Sequence, residues 1–505
     1  ACDLGAFELD TAPALYVDVN VVNVNRGACN PGECWQGAYN NLQDALAVPG
    51  IFDVRIADGV YYPDVGNGQT NDDPSSSFSI PATHKIYGGY AGVGGEGMPA
   101  NPDVYKTILS GDIDENDVDS NTDGIIESTD DLVGDNALHV ITAADDFLYL
   151  EGVVVTAGMA KGLPDQTNAI LGNADPAKNN GAIQKVTAGF LTINLNQVAF
   201  YGNFATEGGG VTKDCYALNA NDLTAVGNTA GSGLAGAISC PFSVIKKGLF
   251  RDNRSDYLAG AFYGGGELSD VVFLNNQAGE SGGAAVFQSD TILERNLFSG
   301  NTSLLKAGAI SIRGNLEINN SLLIHNSAID GGAILSEAAN YSLNFNHSTI
   351  VANDAVNGSG VYMKQGDLVM LNSIVWHNNE QSRGLGTLSS AVRVGTVGVN
   401  YSGVFAHSLI QGSGGSNNWG STLGSDHGSN IDADPLFLAL PQIGVIESGD
   451  VRLSYDSPAV GQGSAGLIEG DGLDLNGVDR LADGVTDMGA YESTDLIFKG
   501  GFESN

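Results

Sequence analysis

Apolar and polar positions repeat along the chain between Leu191 and Asn379, with the period of about 25 residues that is typical of a solenoid. Each repeat ends on an asparagine that follows a short apolar run by two or three residues. The third and the eighth residues before this asparagine are apolar in every repeat, and the sixth and seventh residues before it are mostly polar. The ladder asparagines are Asn203, Asn228, Asn253, Asn276, Asn301, Asn326, Asn353 and Asn378.

The pattern within each repeat predicts strands and turns. Short apolar alternations interrupted by Asn and Gly are strand and turn signals, and they lack the helical period. Three short strands with their turns use about 25 residues, so each repeat is one coil of a parallel β-helix, and neighbouring coils stack roughly 4.8 Å apart. We therefore predict an all-β, right-handed parallel β-helix, the hand following the general preference of crossover connections. Stacked ladder asparagines are expected to pair with the coils above and below.

A second ladder supports the same period. A glycine stands before a small or apolar pair once in each repeat, as in Gly236-Ala237-Ile238, Gly283-Ala284-Ala285 and Gly308-Ala309-Ile310. Ahead of the repeats, Gln36 to Val48 predicts a short amphipathic helix with Tyr39, Leu42, Ala45 and Leu46 on one face. Such a helix would cap the open end of the solenoid, where strand edges are otherwise unpaired.

These signals divide the chain into five segments. Residues 1–14 form an N-terminal segment, 15–150 the cap and irregular first coils with an acidic loop at 112–131, and 151–410 the regular coils. Residues 411–492 form the C-terminal coils and a closing module, and 493–505 a tail.

Composition narrows the classes of partner. Acidic residues outnumber basic ones 59 to 21, and the net charge is −38. This charge argues against nucleic acid and anionic membranes as partners, and against a uronate polymer as substrate unless calcium screens the site. The sequence shows no apolar run that approaches the length of a membrane-spanning helix, so we expect no transmembrane segment.

The cysteine positions favour disulfides. Cys29 and Cys34 are close enough in sequence to close a small loop, and Cys215 and Cys240 each follow a ladder asparagine at the same interval. The latter two thus occupy one site on adjacent coils, within reach of a disulfide; the alternative is two free buried thiols. Two such pairs imply an oxidising compartment, and Cys2 is left over to pair with another chain or to stay free.

The acidic loop contains the spacing of a calcium loop. Oxygen donors stand at positions 1, 3, 5 and 12, a glycine at 6 and an apolar residue at 8, although no flanking helix is evident. The alternative is a solvated acidic loop, and a weaker second cluster comprises Asp471, Asp474, Asn476 and Asp479. The predicted calcium residues are Asp119, Asn121, Asp123, Ile126 and Asp130.

No catalytic residues are predicted. A β-helix lyase needs a base and cationic groups at the substrate carboxylate, and a glycosidase needs clustered carboxylates. The basic residues are few and scattered, and His325 and His377 share a column two coils apart, about 10 Å. Each is interpreted as an exposed turn residue. The alternative is a wide cleft that recruits Asp and His side chains from different coils.

Two features point to contact surfaces. Residues two and four positions before the ladder asparagine point outward and are apolar on several coils, so a loop of the same chain covers them or they form an interface. The pattern Asp-apolar-Gly-Ala-aromatic-Glu also occurs at both ends, Asp3 to Glu8 and Asp487 to Glu492. A strand added from one subunit to the next would build a head-to-tail filament. The predicted interface residues are Cys2, Asp3, Leu4, Phe7, Leu322, Ile324, Ile374, Trp376, Met488, Tyr491, Phe498 and Phe502.

The motifs also resemble known families. Gly331-Gly332-Ala333-Ile334 and the Phe-x-x-Asn runs ending at Asn203, Asn253, Asn276 and Asn301 are similar to the repeats of polymorphic outer-membrane adhesins. The segments Asp58 to Pro63, Ile108 to Asp112, Asn430 to Phe437 and Asp487 to Glu492 resemble bacterial β-helix proteins with a choice-of-anchor Q domain. The tail resembles the short endings of some secreted proteobacterial proteins. These resemblances imply a β-helix outside a bacterial cell and leave its chemistry open.

The sequence therefore predicts a secreted, non-catalytic structural or adhesive protein at the cell surface, able to self-associate and to hold a glycan or surface ligand. The alternative is a calcium-dependent carbohydrate-active enzyme, either a polysaccharide lyase or a glycosidase.

Overall fold

The structure, a computed structural model, describes residues 12–21, 34–161, 179–187, 189–213, 215–380, 392–394 and 401–493. The chain divides into two compact units, Ala1–Asn228 and Thr229–Asn505. This boundary falls inside the segment 151–410 that the sequence presents as one run of regular coils.

Both units consist of short strands that pair in parallel. The strands of the first unit are Ala14–Val17, Phe52–Ala57, Gly59–Tyr61, Phe78–Ile80, His84–Tyr90, Thr107–Ser110, Ile141–Ala143, Phe147–Glu151, Val153–Thr156, Met159–Ala160, Ile183–Lys185, Leu191–Tyr201, Phe204–Ala205 and Cys215–Val226. Short 3-10 turns lie at Trp35–Gly37 and Thr129–Asp131 in this unit and at Ala465–Leu467 in the second.

The strands of the second unit are Thr229–Ala230, Ile238–Arg251, Arg254–Ser255, Phe262–Leu274, Gln277–Ala278, Ala285–Glu294, Leu297–Ser299, Thr302–Ser303, Ile310–Ile312, Leu316–Asn319, Leu322–Ile324, Ser327–Asp330, Ile334–Ser336, Ser342–Asn346, Thr349–Val351, Asp354–Asn357, Val361–Met363, Gly366–Leu371, Ile374–Trp376, Asn379–Glu380, Val392–Val394, Tyr401–Ala406, Leu409–Ile410, Ser425–Asp426, Phe437–Ala439 and Asp450–Leu453. The last two pair antiparallel with each other and lie outside the coils.

Strand register confirms the predicted parallel β-helix. In the second unit, Leu293 pairs with Leu268 on one side and Ile318 on the other, each exactly one repeat away in sequence. The same column extends to Phe345, then Met370. All of these side chains are buried, because every coil directs this position inward. The irregular coils of the first unit obey the same register, and their column comprises Leu15, Val54, Ile86, Leu150, Leu195 and Ala220.

The third residue before each ladder asparagine forms a second inward column. Phe250, Phe273 and Phe298 stack with ring centroids 4.9 and 4.7 Å apart and nearly parallel planes. These distances equal the spacing between paired strands, so the coil repeat itself sets the aromatic stacking. All three rings are fully buried.

The capping helix is shorter than the sequence predicts. It spans Leu42–Leu46 and packs against Ala14–Val17 and Phe78–Ile80. Asn41 ends it on the N-terminal side, because its side chain accepts a hydrogen bond from the Asp44 backbone N–H. Leu42, Ala45 and Leu46 are buried as predicted. Tyr39 precedes the helix and bridges to Val17 instead.

The ladder asparagines tie each coil to the next. The side-chain oxygen of Asn301 accepts hydrogen bonds from the backbone and side-chain amides of Asn276, at 3.0 and 2.9 Å. Its own amide donates to the Phe273 carbonyl and to the side-chain oxygen of Asn326. The side chain therefore satisfies backbone groups that the strand corner leaves without a ladder partner. The same contacts recur at Asn326 and Asn353.

A second polar ladder runs five residues before the first and was not predicted. The Ser321 hydroxyl accepts from the backbone N–H of Asn296, Ser348 accepts from Ser321, and Ser373 accepts from Ser348, at 2.9 to 3.2 Å. Ser408 continues the series. All four serines are fully buried. Serine spacing alone did not reveal this column, because earlier coils place valine, leucine, glycine or asparagine there.

The glycine ladder exists because adjacent coils approach closely. A Cβ atom added to Gly260, Gly283 or Gly308 would lie only 1.9 to 2.0 Å from the carbonyl oxygen of the glycine on the following coil. Any side chain here would push two coils apart.

Each regular coil turns two corners with left-handed backbone. The first corner residue directly precedes the ladder asparagine and the second lies five residues earlier, with φ between +47° and +66° at both. This conformation favours Gly, Asn and Asp and tolerates His. The second column, here called the docking corner, comprises Gln197, Asp222, Lys247, Asp270, Arg295, Asn320, His347 and Asn372, and His407 follows one coil later.

Candidate functional site

The predicted apolar interface is covered by the same chain. Leu322 and Ile324 are 6 % and 8 % exposed and pack with Val451 and Ala490. Ile374 is buried beside Met488, and Trp376 packs against the same cluster. The prediction that these residues face a partner is therefore wrong, and of the two alternatives the covering loop is the one observed. Tyr491 packs on the Leu322 cluster, so it and Met488 also lie inside one molecule.

Residues 462–492, here called the C-terminal strap, follow the docking corner across five successive coils. Arg295 binds the Asp471 carboxylate at 2.6 Å. Asn372 exchanges hydrogen bonds with Ser464, and its carbonyl accepts from Gly489 at 2.7 Å. His407 contacts the Gln462 carbonyl through Nδ1 at 3.1 Å. The strap is thus attached at one corner residue of each coil that it crosses.

A buried arginine holds the centre of the strap. Arg480 is fully buried and donates to the side-chain oxygen of Asn320 and to the Glu492 carboxylate, both at 2.7 Å. Its remaining nitrogen donates to the backbone carbonyls of Gly489 and His347, at 3.0 and 3.4 Å. Burial raises the pKa of Glu492 to about 7, and the Arg480 charge opposes that rise. The arginine therefore compensates a carboxylate that lies out of water.

His347 lies in the same contact. Its Nε2 is 3.1 Å from the Thr486 hydroxyl. Burial and the Arg480 charge lower the pKa of the imidazole to about 2. The ring is therefore neutral in the folded protein throughout the physiological range.

This arrangement predicts a pH-dependent strap that depends on His347. Below pH 6.5 the unfolded imidazole binds a proton that the folded one rejects, so stability present above pH 6.5 falls by about 1.4 kcal/mol per unit as the pH decreases. His347→Asn removes this dependence while retaining a side chain suited to left-handed backbone, as Asn320 and Asn372 show on the neighbouring coils. Hydrogen exchange of strap amides at pH 7 and pH 5 measures the free energy of strap opening in both proteins. Between these pH values it should fall by about 2 kcal/mol more in the parent than in His347→Asn.

The two proteins must be compared, because the raised pKa of Glu492 makes stability rise as the pH decreases, against the effect of His347. This contribution is common to parent and variant and cancels in the comparison. Equal slopes in parent and variant would contradict the assignment to His347.

The predicted calcium loop forms a compact turn held by its own side chains. The Asp119 carboxylate accepts the backbone N–H groups of Thr122 and Gly124, both at 2.7 Å. Asn121 donates its amide to Asp123 and Glu127. Ile126 is buried and exchanges hydrogen bonds with the Thr156 hydroxyl, while Asp130 lies in the separate 3-10 turn. Across the described ranges, no group of three or more His, Cys, Asp or Glu side chains is placed to hold a metal.

Calcium binding at this loop therefore stays a prediction. Calcium at 100 times its dissociation constant would stabilise the folded chain by about 2.7 kcal/mol. We expect thermal unfolding to shift upward with calcium, to shift back with chelator, and to become insensitive in Asp119→Ala. Magnesium is the control ion, since this oxygen-rich loop suits the larger, more flexible coordination of calcium. Identical unfolding curves with calcium and with chelator would contradict the prediction.

The weaker acidic cluster lies within the strap. Asp474 accepts backbone N–H groups from Asn476, Val478 and Glu492. Asp471 binds Arg295, and Asp479 accepts from the Leu481 N–H. These carboxylates are already hydrogen-bonded within the fold.

The thiols are oxidised where the structure describes them. Cys34, Cys215 and Cys240 are each disulfide-bonded, which excludes free buried thiols at these positions. The predicted partnerships stay predictions. Of the other predicted site residues, Cys2, Asp3, Leu4, Phe7, Cys29, Phe498 and Phe502 lie outside the described residues.

The two column histidines are corner residues. His325 is 6 % exposed, and its Nε2 lies 3.1 Å from the Ser448 carbonyl. His377 is half-buried, and its backbone N–H donates to Gln411. The prediction of exposed turn residues is therefore wrong for His325, because the segment after the coils covers this corner.

A groove lined by acids, here called the acidic groove, lies on the outer face of the second unit. Its volume is about 270 Å³. Register places Glu267, Ile292, Glu317 and Asn344 side by side on consecutive coils. The two glutamates lie two coils apart, about 10 Å. The column lies nine residues before each ladder asparagine, a position that the sequence did not single out, because its members differ in chemistry.

The strap adds a further carboxyl beside this groove. Burial raises the pKa of Glu469, and its hydrogen bond and charge contact with Glu317 raise it further. Asn319 donates to the Glu317 carboxylate at 2.7 Å. A carboxyl whose pKa is raised, in contact with a second carboxyl, is an arrangement suited to general acid catalysis.

Comparison with known proteins gives little beyond the fold. No protein-family model matches the chain, and no curated protein matches it. One similar solved structure is the crystal structure of pectate lyase Pel9A, with 12 % identity over 95 % of this chain and 96 % of that chain and a TM-score of 0.37. At this TM-score the likeness carries no argument about activity.

Proposed function

We propose that this chain is a secreted, non-catalytic β-helix protein with a structural and adhesive role at a bacterial cell surface. The observation that supports it best is the continuous polar ladder from Asn253 to Asn378, which binds six successive coils of the second unit to one another. The strap then covers the apolar stripe on the outer face. These contacts are those of a rigid support, because they are internal and leave little backbone unpaired.

Secretion is part of the proposal. Three oxidised thiols favour an oxidising compartment. The resemblance to choice-of-anchor Q proteins and outer-membrane adhesins points to the same location. Within the described part of the chain, no helix has the length and apolarity that a membrane span requires.

Self-association through the chain ends is also part of the proposal, since the apolar stripe is covered by the same chain. The C-terminal copy of the shared motif docks inside its own chain, through Gly489 on Asn372 and Ala490 on the Thr349 hydroxyl. An N-terminal copy of the same pattern would dock on a coil of another molecule. Negative-stain electron microscopy with and without reductant and chelator tests this: fibres support it, and single short rods under every condition refute it.

The adhesive role is tested with beads that carry the purified full chain. Retention on a glycan-coated surface, without release of reducing sugar from that surface, is the expected result. Release of sugar, or retention equal to that of beads coated with albumin, would refute a non-catalytic adhesin.

The acidic groove supports one alternative, a calcium-dependent carbohydrate-active enzyme of the glycosidase type. Glu469, whose pKa is raised beside Glu317, would act as general acid, and Glu267 in the groove as base, since inverting glycosidases place their paired carboxyls far enough apart to admit a water molecule. A screen of neutral polysaccharides with the parent chain, Glu317→Gln and Glu469→Gln decides between the two functions. Cleavage that both variants lose would establish the enzyme.

A further inference from the structure

The first unit contains a pocket of about 510 Å³, here called the Arg55 pocket. Its walls are the rings of Tyr16, Trp35 and Tyr90, and Gln36 and Glu96 lie at its rim. This volume, and a lining of aromatic rings with a few polar groups, are typical of small-molecule sites. Neither proposed function uses this pocket.

The aromatic walls are fixed by packing. Trp35 is 7 % exposed and contacts Tyr16 edge to face, with ring centroids 4.8 Å apart, and Tyr90 at 5.6 Å. The rings rest on a small apolar cluster that includes Ala38 and Ala57. The outer wall is a loop held by Asp18, whose carboxylate accepts the Val93 N–H at 2.9 Å. The pocket is therefore preformed.

Arg55 occupies the middle of this aromatic surface. Strand register sets it beside Tyr16 on one neighbouring strand and Tyr87 on the other. Its guanidinium carbon lies 5.7 Å from the Tyr16 ring centroid and 5.9 Å from that of Tyr90, within the range of cation–π contact. Its Nη1 donates to the Tyr16 hydroxyl at 3.3 Å.

This guanidinium has no acidic partner among the described residues, where Tyr16 and Tyr90 are its contacts. By contrast, Arg295, Arg452 and Arg480 each bind a carboxylate. Glu96, whose carboxylate lies in the pocket lining, accepts hydrogen bonds from Gln36 and the Gly94 N–H instead. The chain has a net charge of −38, and the fork of donors that this half-buried guanidinium presents suits a carboxylate.

We propose that the Arg55 pocket binds a single sugar ring that carries a carboxylate, a uronic-acid residue. Arg55 binds the carboxylate with two N–H groups, while Tyr16 and Tyr90 pack on the apolar face of the ring. Gln36 and Glu96 exchange hydrogen bonds with the ring hydroxyls. The acidic exterior repels a long polyanion, so the ligand is a monosaccharide or the terminal residue of a chain.

This inference rests on the proposed adhesive function, because it names the class of ligand that the surface would hold. The probes are glucuronate, galacturonate, their trimers, glucose and benzoate, titrated into the intact chain by calorimetry at pH 7. We expect uronates to bind, and glucose and benzoate to bind at least tenfold more weakly. Equal affinity for monomer and trimer would assign the site to one ring, and tighter trimer binding to a chain end.

The variants separate charge from shape. Arg55→Gln is expected to lose at least tenfold in uronate affinity, and Arg55→Lys to retain part of it, since a lysine provides charge without the planar fork. Arg313→Gln removes an exposed arginine from the second unit and serves as the matched control, with unchanged affinity expected. Circular dichroism establishes that each variant is folded.

Three outcomes overturn the proposal: no uronate binding by the parent chain, equal affinity in Arg55→Gln and Arg313→Gln, or glucose or benzoate bound as tightly as glucuronate. If the chain binds no uronate but coated beads are still retained on glycan surfaces that lack uronates, the adhesive function stands and only the Arg55 pocket is refuted. If uronate binding is intact but the beads are not retained, the Arg55 pocket stands and the adhesive function is refuted.

Discussion

Arg480→Ala is expected to detach the C-terminal strap while the coils stay folded. The substitution leaves the Glu492 carboxylate and the Asn320 side-chain oxygen buried without their donor. Breaking a buried ion pair from one side costs about 3 to 5 kcal/mol. Since 1.4 kcal/mol corresponds to a factor of ten, the hydrogen-exchange protection of strap amides such as Gly489 and Ala490 should fall by roughly two to three and a half orders of magnitude. Amides of the coil core should keep their protection.

The pH dependence of this loss distinguishes charge from packing. Burial already raises the pKa of Glu492 to about 7 in the presence of Arg480, and removal of the cation raises it further. At pH 6 the carboxyl of the variant is protonated and costs little, whereas at pH 8 it must ionise in a buried site or expose itself. The deficit of the variant should therefore increase from pH 6 to pH 8.

Arg452→Ala is the matched control. Arg452 also pairs with an acid, Asp450, but its side chain is 56 % exposed, and exposed pairs contribute about 1 kcal/mol or less. The double variant Arg480→Met with Glu492→Met removes both charges and should recover most of the protection, because apolar replacements of a buried pair are often neutral. Equal protection in Arg480→Ala and Arg452→Ala would contradict the assigned role.

The coils were predictable because their contacts are periodic. Phe298 and Asn301 lie in columns whose members recur once in every coil, and stacking at the strand spacing follows from that period. The helix start was not predictable to the residue, because one side-chain cap at Asn41 decides it. His325 was misassigned, because an exposed corner and a covered one carry the same local signal.

The strap was beyond sequence reasoning for a different reason. Arg480 and Asn320 are separated by 160 residues, and no repeat connects them. The outward apolar stripe with Leu322 and Ile374 did indicate that something covers it, but the identity of the cover depended on a chain segment without period. The Arg55 pocket likewise depends on strands and loops from three irregular coils, whose register only the structure shows.

The second large effect is expected at the centre of the asparagine ladder. Asn301→Ala removes the acceptor of two Asn276 amides and the donor to the Phe273 carbonyl, in a site with no exposed surface. Each buried polar group left without a partner costs about 1 to 3 kcal/mol. A total loss of about 3 to 5 kcal/mol is expected, with backbone amides at Asn276 and Asn326 losing protection first. Denaturant unfolding and hydrogen exchange measure it.

Two further substitutions show that the ladder position, and not asparagine as such, carries the effect. Asn219 also pairs with an asparagine of the preceding coil, Asn194, but does so on the exposed face at 3.2 Å, so Asn219→Ala should change stability by less than about 0.5 kcal/mol. Asn301→Ser retains one acceptor for the Asn276 N–H, as the serine column does five residues earlier, and should lose about half as much as Asn301→Ala. A similar cost for Asn219→Ala and Asn301→Ala would mean that strand pairing alone holds the coils and that the buried ladder contributes nothing specific.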